Sequence, residues 1–328
     1  MLEYEDLFDG SFVVGAKTEA LKTQAREMLA TLDASGGAIE NVAFMKMQLV
    51  ESQRARLKEI EAGRQIVVGV NKYETTEESP LSAGEGAIMT VDHFAEDRQI
   101  EKLKAWRAQR DDATVKVALV KLQAAATEGQ NIMPASIEAA KAGVTTGEWG
   151  QVLREVFGEY RGPTGVAVVI ETGGEEDLEA VKGEVERISQ RLGRTLTYVV
   201  GKPGLDGHSN GSEQIAARAR AAGMNVVYEG IRFTPEEIVK QAIESDAHVV
   251  GLSILSGSHL DLVRDTVRIL RDKGLSTPVV VGGIIPEADA MALKQMGVRR
   301  VYTPKDYKIT EITGDVVKVV EETLAATE

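Results

Sequence analysis

Gly201-Lys202-Pro203-Gly204-Leu205-Asp206-Gly207-His208-Ser209-Asn210-Gly211 lies between an apolar run, Leu196 to Gly201, and a helical stretch that begins near residue 211. Four glycines and one proline in eleven residues describe an extended, tightly shaped loop in place of an immediate strand-to-helix turn. Glycine reaches backbone conformations closed to other residues, and proline fixes its own. Such a loop leaves the imidazole of His208 projecting beyond the strand. Toward the C-terminus, short apolar runs then alternate with helical stretches. Asn225 to Tyr228, His248 to Ser253, Pro278 to Val281 and Arg300 to Tyr302 read as strands, and residues 211–222, 235–245, 259–273, 287–296 and 314–326 as helices. Strands short enough to be buried on both faces, separated by helices, predict a parallel sheet with right-handed crossovers. The expected class is α/β: a flavodoxin-like five-stranded parallel sheet over residues 194–328.

In such a sheet ligands bind outside the carboxyl ends of the strands, which puts the 201–211 loop in the functional position. Asp206 stands two residues before His208. It can accept the second ring N–H of an imidazole whose other nitrogen binds a metal, an arrangement that sets the tautomer and raises ligand basicity. Gly211 would let a bulky group pass close to the backbone where the next helix begins. The loop supplies one metal ligand, so the others must come from elsewhere. His248, in an apolar strand, reads as a satisfied core histidine. His259 opens a helix, where it serves either the helix start or the ligand face. His93 has no metal-spaced companions and reads as solvated.

The chain has 328 residues, 43% of them hydrophobic and 27% charged, the composition of a globular protein with room for about two domains. No apolar run approaches the roughly 18 residues of a membrane span, and no membrane partner is expected. The acidic start, Met1 to Gly10, lacks the basic and apolar regions of a secretory signal, which predicts a cytoplasmic location. The absence of cysteine excludes disulfides, thiolate nucleophiles and cysteine-held zinc or iron–sulfur centres. A metal would have to be held by histidine, carboxylate or an organic cofactor. A formal charge of -13 opposes the phosphate neutralisation that nucleic-acid binding relies on, so no nucleic-acid partner is expected either.

Upstream of the sheet, residues 17–33 and 37–62 read as two amphipathic helices separated by Gly36-Gly37. Ile66 to Val70 reads as a short strand and Tyr73 to Gly86 as a loop. Further helices are predicted over 92–110, 112–127, 133–142 and 146–157, the last opened by a capping box of Thr145 and Glu148. Residues 1–158 thus form a mainly helical region. Gly158 to Gly174 suits a connection, and Leu178, Val185, Ile188 and Leu192 mark one amphipathic helix stopped by Gly193, so 159–193 is expected to link the two parts.

Asp206-x-His208-x-x-Gly211 resembles the signature of cobalamin domains in which a histidine replaces the cofactor's own benzimidazole on cobalt. Ser253-Ile254-Leu255 is similar to that family's Ser-x-Leu after the third strand, and Gly282-Gly283 to its glycine pair after the fourth. The resemblance implies His208 as the cobalt ligand and Asp206 as its support. It also implies a nucleotide-tail pocket lined by Ser253 and Leu255, with Gly282 and Gly283 admitting the corrin edge. Gly207, Ser209, Asn210, Gly211, Ile215, Tyr302 and Thr303 are the further expected cofactor contacts. In the first half, Phe8-Asp9-Gly10-Ser11, Gly36-Gly37 with Gln53-x-x-x-Leu57, Ile66 to Tyr73 and Asn131 to Phe157 resemble the segment that follows the barrel in adenosylcobalamin-dependent acyl-CoA mutases. Within that family the wording is closest to the ethylmalonyl-CoA branch.

The resemblance implies the cofactor half of a carbon-skeleton mutase that interconverts ethylmalonyl-CoA and methylsuccinyl-CoA, or methylmalonyl-CoA and succinyl-CoA. No catalytic side chain of its own is expected. The family's (β/α)8 barrel has no counterpart here, since 158 mainly helical residues are too few for one. The chain is therefore expected to be a fragment or one subunit, working with a barrel that binds acyl-CoA in a homo- or hetero-oligomer. Two alternatives share the motifs. A corrinoid carrier for methyl transfer would place a compact helical cap directly before the sheet, whereas a long linker and the amphipathic helix intervene here. A cobalamin-binding interaction domain without catalysis would be expected to have lost motif residues, and none is lost.

Overall fold

In the computed structural model of the chain, residues 8–74, 94–166 and 176–326 are described. His93, the expected loop beyond residue 74 and residues 167–174 of the expected connection lie outside them. By contacts the chain divides into two compact units, one made of Met1–Glu74 with Gly162–Glu328 and the other of Thr75–Arg161. The helical region expected over 1–158 is thus split, because its first part packs on the α/β layers.

The helices of the first half are α1 (Phe12–Ala34), α2 (Gly37–Glu40), α3 (Val42–Glu61), α4 (Phe94–Gln109), α5 (Asp112–Thr127), α6 (Met133–Ala142) and α7 (Thr146–Phe157). The helix expected over 37–62 is interrupted at Asn41. Its side-chain amide donates to the carbonyls of Leu32, Ser35 and Gly37, so it competes with the helical ladder instead of joining it. The strand expected at Ile66 to Val70 is a turn. Asn71 accepts from Val67 N–H and donates to Ile60 and Gln65 carbonyls, and the local pairing is one bridge between Val68 and Lys72. In the second unit, Val115, Leu122 and Ala139 are buried. The Thr145–Glu148 capping box is present. Glu148 is held at about 2 by the two-pronged Arg110 guanidinium, against the effect of burial.

The other unit continues with α8 (Glu176–Leu192), β1 (Thr197–Gly201), α9 (Asn210–Ala221), β2 (Asn225–Val227), α10 (Pro235–Glu244), β3 (Val249–Ile254), α11 (His259–Asp272), β4 (Val279–Gly283), α12 (Glu287–Gln295), β5 (Arg300–Tyr302) and α13 (Ile309–Ala325). The strands are all parallel, in the order β2-β1-β3-β4-β5. This is the flavodoxin-like order, and it agrees with the five strands read from sequence.

Alternate side chains of each strand serve opposite layers. Tyr198, Val200, Val249 and Val280 pack with Leu178, Val185 and Ile188 of α8, Ala216 and Ala219 of α9, and Val316 and Val320 of α13. Val199, Val250, Leu252 and Val281 pack with Ile238 of α10, Val263 and Leu270 of α11, and Leu293 of α12. Each such fully buried aliphatic side chain contributes about 1.5–3 kcal/mol. The α8 helix, expected as part of a connection, is therefore a component of the α/β core. Among the described residues no helix is long and apolar enough to cross a membrane.

Candidate functional site

The chain does not leave the sheet at Gly201. Phe233 N–H donates to Lys202 O, Gly204 N–H donates to Phe233 O, and Pro203 bridges Phe233, so the start of the loop is held against the segment before α10. Gly204 has φ +82 with Leu262 packed against it, a conformation and a space that only glycine meets easily. The chain then turns over β3, where Asp206 becomes the hub.

Asp206 Oδ1 lies 2.7 Å from His208 Nδ1 and accepts from His208 N–H at 3.0 Å. Its Oδ2 accepts from Lys202 Nζ at 2.6 Å and from Leu255 N–H at 3.2 Å. Burial by itself pushes this carboxyl up, but the Lys202 ammonium and the N–H groups of His208 outweigh it and hold Asp206 well below the usual carboxylate range. An ionised carboxylate can only accept, so the proton of the neutral His208 ring sits on Nδ1 and Nε2 keeps its lone pair. The Asp206 side chain is 5% exposed and that of His208 79%. The loop therefore fixes one edge of the imidazole and presents the other outward to solvent.

The three sequence motifs form one hydrogen-bonded and sheet-paired unit. Asp206 reaches Leu255 N–H, and Lys202 Nζ donates to Ser253 O at 3.3 Å. Ser253 and Ile254 stand in register with Gly282 and Gly283. Lys202 was not singled out by the sequence reading, yet it is wholly buried. Its only signal was its place four residues before Asp206 in the same loop.

Beside this loop lies a cavity of about 240 Å³. Its walls come from Gly211 and Ile215 of α9, Ser253 and Leu255 at the end of β3, Gly282 and Gly283 of β4, and Tyr302 and Thr303 at the end of β5. Tyr198, Ser212, Ile309 and Ile312 add to them without having been anticipated. The other expected contacts, Gly207, Ser209 and Asn210, belong to the loop and the first turn of α9 and are not among the cavity walls. A Cβ on Gly211 would meet nothing within 4 Å, and one on Gly282 only Tyr302 Cβ at 3.9 Å, so both leave open space facing a ligand. Gly283 differs, because a Cβ there would run into the Ile254 carbonyl. The closeness of β3 requires that glycine, not room for a ligand. The Tyr302 hydroxyl donates to Asp315 at 2.9 Å and Ser212 Oγ lies 3.0 Å from Tyr228 Oη, so these two hydroxyls of the cavity wall are already engaged, and the rest of the lining is mostly apolar.

The other two histidines among the described residues, His248 and His259, make protein contacts. His248 Nδ1 accepts from Thr197 N–H at 2.8 Å, and burial lowers its pKa; its buried Nε2 has no partner among the described residues, so the core role expected of it is only partly satisfied. His259 is buried, with Nε2 2.8 Å from Asp289 Oδ2 and Nδ1 3.2 Å from Ser256 O. Both its nitrogens are thus spoken for, and it joins the start of α11 to α12. Among the described residues no cluster of three or more histidine, aspartate and glutamate side chains could hold a bare metal ion.

Fold and loop together define an α/β domain that offers one oriented imidazole beside a mostly apolar cavity. A family model described as methylmalonyl-CoA mutase matches residues 1–159, and one described as B12 binding domain matches residues 196–312. The ethylmalonyl-CoA mutase of Cereibacter sphaeroides is 55% identical over 328 residues, covering 100% of this chain and 50% of that protein. That of Methylorubrum extorquens is 54% identical, over 99% of this chain and 47% of its own length. A methylmalonyl-CoA mutase of Cereibacter sphaeroides is 33% identical over 91% of this chain. Residues 1–159 thus match the methylmalonyl-CoA mutase family, and residues 196–312 carry a B12 binding domain. The chain spans about half the length of the curated relatives it matches.

Proposed function

We propose that this chain is the cofactor-holding part of an adenosylcobalamin-dependent mutase that interconverts ethylmalonyl-CoA and methylsuccinyl-CoA. The observation that carries the reading is the open Nε2 of His208, oriented through Nδ1 by Asp206 and set beside the slot between α9 and the sheet. The residues fit the group: His208 would be the cobalt ligand, and Asp206, with Lys202 behind it, would fix the ring. The walls from Gly211 and Ile215 to Ser253, Leu255, Gly282, Tyr302 and Thr303 would take the displaced benzimidazole tail. When bound, adenosylcobalamin supplies a cobalt–carbon bond whose homolysis starts radical chemistry. The protein here binds and orients the cofactor and keeps water from one of its faces. Identity of 55% and 54% to two ethylmalonyl-CoA mutases, against 33% to a methylmalonyl-CoA mutase, supports the ethylmalonyl substrate.

The acyl-CoA site would be supplied by a barrel outside these residues, on the same polypeptide or on a partner. Exposed apolar residues of α1 and α2, among them Phe12, Val13, Leu21 and Ile39, would pack on it. The test is conversion of ethylmalonyl-CoA with adenosylcobalamin, by the chain alone and with the barrel half of a relative supplied in trans. Turnover is expected only with the barrel. Turnover by the purified chain alone would contradict this division of labour.

A further inference from the structure

The helix α3 lies outside the region matched as a B12 binding domain, yet it touches both helices that wall the cavity. Near its start, Lys46 Nζ pairs with Glu213 Oε1 at 2.6 Å and donates to Ser209 Oγ at 3.2 Å. Midway, the Val50 carbonyl accepts from the buried Gln214 Nε2 at 2.9 Å. At its end, Glu61 Oε1 accepts the N–H of Ile309, the first residue of α13, at 2.9 Å. Ser209 adjoins His208, Gly211, Ser212 and Ile215 form the α9 wall, and Ile309 and Ile312 form the α13 wall. Glu213 is 2% exposed, and an ionised carboxylate removed from water needs a bound cation nearby. Lys46 provides that charge from a different part of the chain.

We propose that α3 is a strap joining α9 to α13 beside the cofactor pocket, with Lys46 the positioning residue that holds the start of α9, and hence the His208 loop, in its ligand-ready place. The proposal rests on the cobalamin reading above. A slot wide enough for a nucleotide tail has to open between α9, α13 and the sheet for the tail to enter or leave. Contacts that join both helices to one outside helix resist that opening. Lys46 touches no cofactor atom in this scheme and acts through Ser209 and Glu213.

The test uses the full chain and radiolabelled cobalamin, exchanged against excess unlabelled cobalamin, together with electron paramagnetic resonance of the Co(II) form. Lys46→Met is expected to speed exchange about tenfold, at the lower end of the range for residues that orient a metal ligand, and to reduce the fraction of cobalt carrying protein nitrogen. Lys46→Arg keeps the charge and should restore both. The double variant K46M/E213Q removes the uncompensated buried charge, so thermal stability should recover while exchange stays fast. Wild-type exchange from K46M would overturn the strap, as would recovery of slow exchange together with stability in the double variant. Failure of the unaltered chain to show His208-dependent nitrogen ligation would instead overturn the cobalamin reading itself.

Discussion

Lys202, with no exposed side-chain surface, places its Nζ 2.6 Å from Oδ2 of Asp206, the carboxylate whose other oxygen holds the His208 ring at 2.7 Å. The cation thus keeps Asp206 ionised in a nearly dry place, and the ionised Asp206 keeps the His208 proton on Nδ1. A fully buried residue therefore governs which ring nitrogen of His208 is left open.

Lys202→Met should destabilise the fold by about 3–5 kcal/mol, the usual result of removing one partner of a buried ion pair. The pH dependence follows from the depressed Asp206 value. A lowered folded-state pKa gives stability that is present above the ordinary carboxylate range and lost as pH falls through the folded value. Without Lys202, only N–H groups such as those of His208 are left to oppose burial, the folded value rises, and the loss on acidification begins at higher pH. Urea unfolding of both proteins from neutral to acidic pH checks this; parallel curves would count against it.

Asp206→Asn removes the charge but preserves the shape. Cobalamin affinity is expected to fall 10- to 100-fold, the range typical of a group that orients a metal-binding histidine. Equilibrium titration with hydroxocobalamin measures it, and an unchanged affinity would mean that Asp206 does not orient the ligand.

The glycine pair should separate into two roles. Gly283→Ala forces a Cβ into the Ile254 carbonyl and should cost about 1–3 kcal/mol of stability or more. Gly282→Ala finds open space and should fold normally while weakening cobalamin binding, since its methyl group enters the cavity. Thermal denaturation and binding titration of the two variants should give opposite patterns.

His259→Ala breaks buried contacts to Asp289 and Ser256. Stability should fall by about 1–3 kcal/mol, with the cobalt spectrum of the bound cofactor unaltered. A changed nitrogen coupling in this variant would return His259 to the ligand face.

What the sequence disclosed were features written in adjacent residues. The five strands were legible because each is a short apolar run closed by polar or glycine residues, and the His208 loop because its glycines and proline interrupt that grammar. Features made by distant residues were not legible. Lys202 reads as an ordinary loop lysine until the chain folds it under Ser253, and the pairing of Lys46 with Glu213 spans about half of the chain. The α13 helix begins at Ile309, ahead of the expected 314, where Glu61 accepts its first N–H. Ile66 to Val70 has the composition of a strand, but Asn71 ties it into a turn.

The central claim, that His208 ligates cobalt through Nε2, is tested most directly by electron paramagnetic resonance of the Co(II) cobalamin complex formed with 15N-labelled protein. The account predicts nitrogen hyperfine coupling that changes on labelling the protein and disappears in His208→Ala. A coupling pattern indifferent to protein labelling, with the benzimidazole nitrogen still on cobalt, would contradict it.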